Sequence, residues 1–369
     1  MKLERFSIIC GLAIVVVLAA VSCATTSSAT QPGFTPPITD AAGKTVSGSI
    51  ASLEPVVLNG IEQWICIRGR DVSKPVILFL HGGPGATNMV WRELFVTQEL
   101  EENFVVVLWD QRGAGKSYSP YLSADDMQVD KFVEDTVALT KYLKKRFTQK
   151  KIFLLGHSWG SALGFITMIK HPEYREMYHA YIAAGEAANW NRRQTMSFEW
   201  TLEQARKKNH RKAIKALEEL RPFDPTDQNH IDVKNRWLGQ MGGEYHDADL
   251  IHQFIAYLNK ALGPEYTKAD AKNWPKGIEW SEKTVSPQIL KAGYNLFEDL
   301  PEIKIPLYFF VGRYDYQTPG PLTEEYYDAV KAPVKDLIWF EESAHYTIFA
   351  EPDKMTRELI KISREVEGQ

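Results

Sequence analysis

Short, unbroken apolar runs punctuate this chain. Val76-Ile77-Leu78-Phe79-Leu80 and Phe104-Val105-Val106-Val107-Leu108-Trp109 have no polar alternation and are too brief for a helix. Such runs mark strands buried on both faces of a parallel sheet. Ile152-Phe153-Leu154-Leu155 and Tyr181-Ile182-Ala183-Ala184 follow, with helical patterning over about 129–147 and 159–170. This alternation predicts a doubly wound α/β domain with a mostly parallel sheet. Pro306-Leu307-Tyr308-Phe309-Phe310-Val311 and Leu337-Ile338-Trp339-Phe340 resume the signature, and a terminal helix near 352–366 closes it. Between 187 and 300 no such run occurs. There Leu202, Ala205, Ile214, Leu217 and Leu220 recur at helical spacing, punctuated by Pro222, Pro225, Pro264 and Pro275. A helical cap over 187–300 therefore divides one core into 51–186 and 301–369. No repeat of fixed period is evident.

The N-terminus has a different pattern. Lys2 and Arg5 precede an apolar stretch from Phe6 to Val21, shorter than the ~20 residues that span a bilayer, as in an export signal over 1–22. Its end, Leu18-Ala19-Ala20-Val21-Ser22-Cys23, resembles a bacterial lipobox, with Ala20 where leucine is usual. That resemblance implies lipidation of Cys23 and an exported protein held to a membrane on its periplasmic or extracellular side. Ordinary signal cleavage with Cys23 incidental is the alternative. The Thr/Ser/Ala/Pro/Gly-rich stretch over 23–50 is expected to be a flexible tether.

Composition narrows the classes. With 44% hydrophobic residues among 369, the chain can build a substantial core. A net charge of −4 gives no footprint for nucleic acid. Three cysteines, Cys10, Cys23 and Cys66, cannot form a disulfide scaffold or a four-thiolate metal site.

The chemistry gathers where strands end. Gly156-His157-Ser158-Trp159-Gly160 lies between the strand at Ile152–Leu155 and a helix, the context that a nucleophile elbow requires. A serine hydroxyl needs a base within reach, itself oriented by a third group. In the chain order Ser, acid, His, the acid is expected after a late strand, where Asp315 sits, and His345 follows the last strand. Asp299 precedes its strand and Glu341 sits within one, which favours Asp315.

His81-Gly82-Gly83-Pro84-Gly85, Trp109-Asp110-Gln111-Arg112-Gly113-Ala114-Gly115-Lys116-Ser117, the elbow, Gly312-Arg313-Tyr314-Asp315 and Ser343-Ala344-His345 together resemble the proline iminopeptidase (prolyl aminopeptidase) family of α/β-hydrolases. The resemblance runs from about residue 55 onward. It implies Ser158 as nucleophile, His345 as base, Asp315 as orienting acid, and an oxyanion hole from the amides of Gly83 and Trp159. It implies no cofactor, and a small peptide or ester as substrate.

An aminopeptidase must hold a cationic amine, so it needs carboxylates near the nucleophile. Some family members carry Glu directly after the acid, where this chain has Tyr316. Glu186 and Glu199 are the replacements considered. The expected activity is release of N-terminal residues, proline among them, from short peptides. A serine esterase or amidase on the same scaffold and a non-catalytic binding lipoprotein are the alternatives.

Other motifs have plainer readings. His81 is expected to tie down the oxyanion loop. Gly115-Lys116-Ser117 lacks the first glycine of a phosphate loop, since Asp110 stands there, and Pro120 would break the following helix. His246 and His252 form no metal motif, and Lys141 to Lys151 is a basic helix end.

Overall fold

The computed structural model describes residues 33–246 and 263–367. The expected signal segment over 1–22, Cys23 and His252 lie outside the described residues. Eight strands form one sheet: β1 Ile50–Leu58, β2 Ile61–Gly69, β3 Val76–Leu80, β4 Val105–Asp110, β5 Ile152–His157, β6 Tyr178–Ala184, β7 Leu307–Gly312 and β8 Lys335–Phe340. Their spatial order is β1-β2-β4-β3-β5-β6-β7-β8. From β4 to β8 every pairing is parallel, and β1 and β2 are antiparallel.

The apolar runs are strands because each feeds two cores. In β3, Val76, Leu78 and Leu80 face one hydrophobic cluster while Ile77 and Phe79 face the other. The longer helices are α1 Val129–Arg146, α2 Trp159–Lys170, α3 Trp190–Lys207, α4 Arg211–Glu218, α5 Gln228–Met241, α6 Lys268–Thr284, α7 Ser286–Ala292, α8 Gly320–Ala329 and α9 Pro352–Glu367. Helices α1, α2 and α8 supply Phe132, Leu163 and Leu322 to the first core, and α9 supplies Met355 and Leu359 to the second. This is the α/β-hydrolase fold, a mostly parallel sheet layered by helices on both faces.

The β1–β2 hairpin is an addition to the elements expected from sequence. Asn59 and Gly60 both have positive φ, 47° and 84°, in a two-residue turn that suits the twist of the flanking strands. Asp135 of α1 is buried beneath the hairpin. It takes two hydrogen bonds from Arg112, at 2.7 and 2.9 Å, and others from Asn59 and Gln63.

Within the segment expected to be loose, Thr35 and Ile38 are buried, while most of 39–49 is exposed. Arg68 on β2 donates to Thr35 Oγ1 and to the Pro36 carbonyl, at 2.7 and 2.6 Å. A buried guanidinium needs acceptors, and this stretch supplies them.

Helices α3 to α6 lie between β6 and β7. Helices α3 to α5 have a core of their own, which gathers Phe198, Leu202, Ala205, Ala213, Leu217 and Leu220, while α6 packs Trp274 against the sheet's second core. The chain enters and leaves this cap at one neck, where Asn189 bridges Asn295. Val285, Ile289, Leu296 and Leu300 pack into the sheet's core, so the expected limit at 300 lies past the neck.

Candidate active site

Ser158 sits at the turn between β5 and α2 with φ 55° and ψ −118°, a backbone conformation that non-glycine residues rarely adopt. Tight packing holds it there. A Cβ on Gly156 would fall 2.4 Å from the Gly160 carbonyl oxygen, and one on Gly160 would fall 2.1 Å from that of Leu80. The Ser158 amide donates to the Ala184 carbonyl at 2.9 Å, tying the turn to the end of β6. Trp159 opens the helix, where first-turn amides have no intrahelical acceptor.

The loops after β7 and β8 bring Asp315 and His345 together. His345 Nδ1 donates to Asp315 Oδ2 at 2.9 Å, and both residues are buried. Thr318 donates to both carboxylate oxygens, by its amide at 2.8 Å and its hydroxyl at 2.7 Å. With Nδ1 so engaged, Nε2 is left as the imidazole's acceptor. The ring lies beside the Ser158 turn: a Cβ on Gly185, next to Ala184, would fall 2.9 Å from His345 Cε1. A hydroxyl on a strained turn, an imidazole held by a carboxylate through Nδ1 and that buried carboxylate can do nucleophilic chemistry.

His157, beside the serine, props the histidine loop. Its Nε2 donates to the His345 carbonyl at 2.9 Å, and the two rings lie 5.0 Å apart. Burial, reinforced by the neighbouring His345, pushes its pKa down to about 3, so it serves as a neutral donor.

His81 ties down the glycine loop after β3. Its Nε2 accepts from the Gln111 amide at 3.1 Å while Nδ1 donates to the Gly82 carbonyl at 2.8 Å. Burial holds its pKa near 4. Gln111 passes the connection on, its side-chain oxygen accepting from the Trp159 indole at 2.9 Å. The loop carrying Gly83 and the elbow carrying Trp159 are thus held to one another. Gly83 has φ +115°, and a Cβ there would fall 2.6 Å from the Gly85 nitrogen.

The two candidate carboxylates and Tyr316, the substrate-side residues expected from sequence, are placed differently. Glu186 is buried and accepts from the Ser161 hydroxyl, from the Ala188 amide at 2.9 Å and from the Tyr294 hydroxyl at 3.1 Å. Burial raises its pKa. Glu199 pairs with Arg221 at 2.7 Å on the exposed side of the cap. Tyr316 stacks on Trp200 at 4.3 Å, and its amide donates to the Gly243 carbonyl. Glu186 thus accepts three hydrogen bonds from within the fold, and Glu199 holds one surface ion pair.

Several residues at the site carry no motif of their own. Glu244, just past the end of α5, is buried and accepts the His345 amide at 3.1 Å on its carbonyl. Arg193 lies flat on Trp190 at 3.9 Å and is felt electrostatically by Asp315 and Glu186. Lys116 pairs with Asp270 at 2.7 Å. Among the described residues, no three His, Cys, Asp or Glu side chains gather as a metal site.

Residues 75–228 match the family model for the alpha/beta hydrolase fold. A probable aminopeptidase, YbaC, of Bacillus subtilis is 30% identical over 319 residues, spanning 86% of this chain and 97% of that one. A proline iminopeptidase of Heyndrickxia coagulans is 25% identical over 287 residues, covering 76% and 87%. Among solved structures, a proline iminopeptidase-related protein of Thermus thermophilus superposes with a TM-score of 0.62 at 20% identity. That match covers 86% of this chain and 98% of the other.

Proposed function

The chain belongs to the alpha/beta hydrolase family, and we propose that within it this protein is a serine hydrolase acting as an aminopeptidase on short peptides, proline among the residues released. The observation that carries the reading is the 2.9 Å contact between Asp315 and His345 beside a serine in strained backbone.

In this mechanism Ser158 Oγ adds to the substrate carbonyl as His345 Nε2 takes its proton. Asp315 keeps the imidazole oriented and stabilises the imidazolium. The amides of Gly83 and Trp159 meet the oxyanion, a role in which loss of one donor typically costs 10²–10³ in rate. His345 then protonates the departing amine, and water repeats the sequence to free the acyl group. Glu244, a buried carboxylate whose carbonyl holds the His345 loop, is the acid best placed to meet a substrate amine.

A second reading, an esterase or amidase, draws on the engagement of Glu186 and Glu199 in other bonds. A fluorophosphonate probe is expected to label the protein and to fail with Ser158→Ala. Aminoacyl naphthylamides set against acyl esters then decide between the readings: rapid ester turnover with proline and alanine naphthylamides left intact would sink the peptidase.

Export and acylation of Cys23 complete the proposal, supported by the apolar stretch and small residues preceding that cysteine. A mature protein in the membrane fraction that begins elsewhere than at an acylated Cys23 would refute the lipid anchor.

A further inference from the structure

On α3 and α5 of the cap, four buried side chains have polar atoms with no hydrogen-bond partner among the described residues: Arg193 Nε, both amide atoms of Gln194, Ser197 Oγ and Lys234 Nζ. Arg193 is 8% exposed and the other three are fully buried. Buried polar groups are normally hydrogen-bonded and buried charges paired, so such a cluster calls for an explanation.

Their placement is specific. Arg193, Gln194 and Ser197 occupy the first two turns of α3, just past the neck at Asn189. Lys234 shares the buried face of α5 with Ile231, Leu238 and Met241, and α5 packs against α3. Both helices dock on the loops of the site. Gly243, past α5, accepts the amides of Tyr316 and Gln317, and Glu244 accepts that of His345. Arg193 is within electrostatic reach of Asp315. Burial, and then the nearby Arg193 charge, lower the Lys234 pKa, while Glu244 and Asp232 oppose this. Asp232 itself is bonded to Gln228.

The chemistry of the set selects a ligand. Arg Nε and Lys Nζ are donors only, and Gln and Ser add neutral bonds. The Arg193 guanidinium, with Nε open, favours an anion; a carboxylate placed there would in turn favour the charged form of Lys234, which burial otherwise disfavours, and charge-assisted bonds to a carboxylate are the strong ones. Building on the serine-hydrolase reading, we propose that Arg193, Gln194, Ser197 and Lys234 form a recognition site for a substrate carboxylate. The preferred substrates are then small amides or esters with an anionic group close to the scissile bond. That group belongs to the acyl part, as an acidic side chain, or to the leaving group, as the C-terminal carboxylate of a very short peptide.

Two matched pairs test the site and tell the sources apart. The acyl arm compares the mono-4-nitrophenyl ester of glutaric acid with its methyl-capped diester. The leaving-group arm compares alanyl-alanine with alanyl-alanine amide. One arm is expected to favour the free carboxylate by roughly tenfold or more in kcat/KM, as loss of a bond to a charged group implies. Lys234→Met and Arg193→Gln should each shrink that ratio. Glutarate should raise the Tm of the unsubstituted protein and not that of Lys234→Met.

Parity within both pairs, or a preference that both variants retain, overturns the carboxylate site. Fluorophosphonate labelling separates this outcome from failure of the underlying reading. Labelling with parity leaves the serine hydrolase standing and removes the site. No labelling, with a glutarate shift abolished by Lys234→Met, removes the hydrolase and keeps the site.

Discussion

At the sheet edge, His81, His157, Gln111, Glu186 and Asp315 are buried and each has a hydrogen-bond partner, whereas Gln194, Ser197 and Lys234 in the cap are buried with polar atoms that have none among the described residues. The division has exceptions on the sheet side, where Asn88 Nδ2 and Thr347 Oγ1 also lack partners. The sheet-edge network leaves Ser158, Asp315 and His345 little freedom, which is what pre-organised chemistry requires. The cap side chains leave donors open, which is what the proposed carboxylate site requires before its ligand arrives.

The largest expected effect is on the frame. Asp315→Asn replaces the acceptor of the His345 Nδ1–H bond by an amide, which can hold the imidazole in the wrong tautomer. About 10⁴ in kcat is expected to be lost, by analogy with the same change in a serine protease. The fold should persist, because Thr318 can still bond to the remaining carbonyl. Single-turnover kinetics with an activated ester checks the rate, and a loss of tenfold or less would mean that Asp315 does not orient the base.

The two regions should also respond to pH in opposite directions. His157 has its pKa pushed down to about 3 from an ordinary 6.5. The unfolded chain therefore binds the proton first, and the stability this neutral ring contributes is present above pH 6.5 and is lost as pH falls toward 3. Glu282 on α6 behaves inversely. Burial, with Asp232 and Glu279 nearby, pushes its carboxyl up from 4.5 to about 8. Its contribution is full below pH 4.5 and is lost as pH rises through 8. His157→Gln should flatten the fall in Tm between about pH 7 and pH 4, and Glu282→Gln the fall between about pH 5 and pH 8.5. If each variant shifted Tm equally at both ends of its range, the opposition between frame and cap would not be electrostatic.

Much of the frame is legible in the chain because it rests on local patterns. Strands buried on both faces appear as continuous apolar runs, and the elbow glycines are close in sequence to Ser158. The β1–β2 hairpin escapes such a reading because β1 is half-exposed along most of its length, so no apolar run marks it. Its turn dipeptide, Asn59-Gly60, is the available signal. The segment before β1 has the composition of a linker, and only the buried Arg68 on β2 reveals why Thr35 and Pro36 are held. Thr318, His157 and Glu244 act on His345 and its acid through backbone returns that bring distant residues together. Glu186 and Glu199 stand out by charge and position, but charge does not reveal that Glu186 already accepts three hydrogen bonds while Glu199 pairs with Arg221 at the surface.

The smallest effects expected are in stability, and their signs differ between the regions. Glu186→Gln puts an NH₂ where the carboxylate accepts bonds from Ser161, Ala188 and Tyr294, leaving at least one buried donor facing another. A loss of about 1–3 kcal/mol follows from an unsatisfied buried group. Ester and aminoacyl substrates should suffer alike, since Glu186 takes its bonds from within the fold. Gln194→Leu does the reverse: it removes two buried polar atoms that have no partner, at similar volume, and is expected to gain about 1 kcal/mol. Urea unfolding at neutral pH reads both. If Gln194→Leu lost stability as Glu186→Gln does, the Gln194 amide would be satisfied in solution, and the cap would be as complete as the frame beneath it.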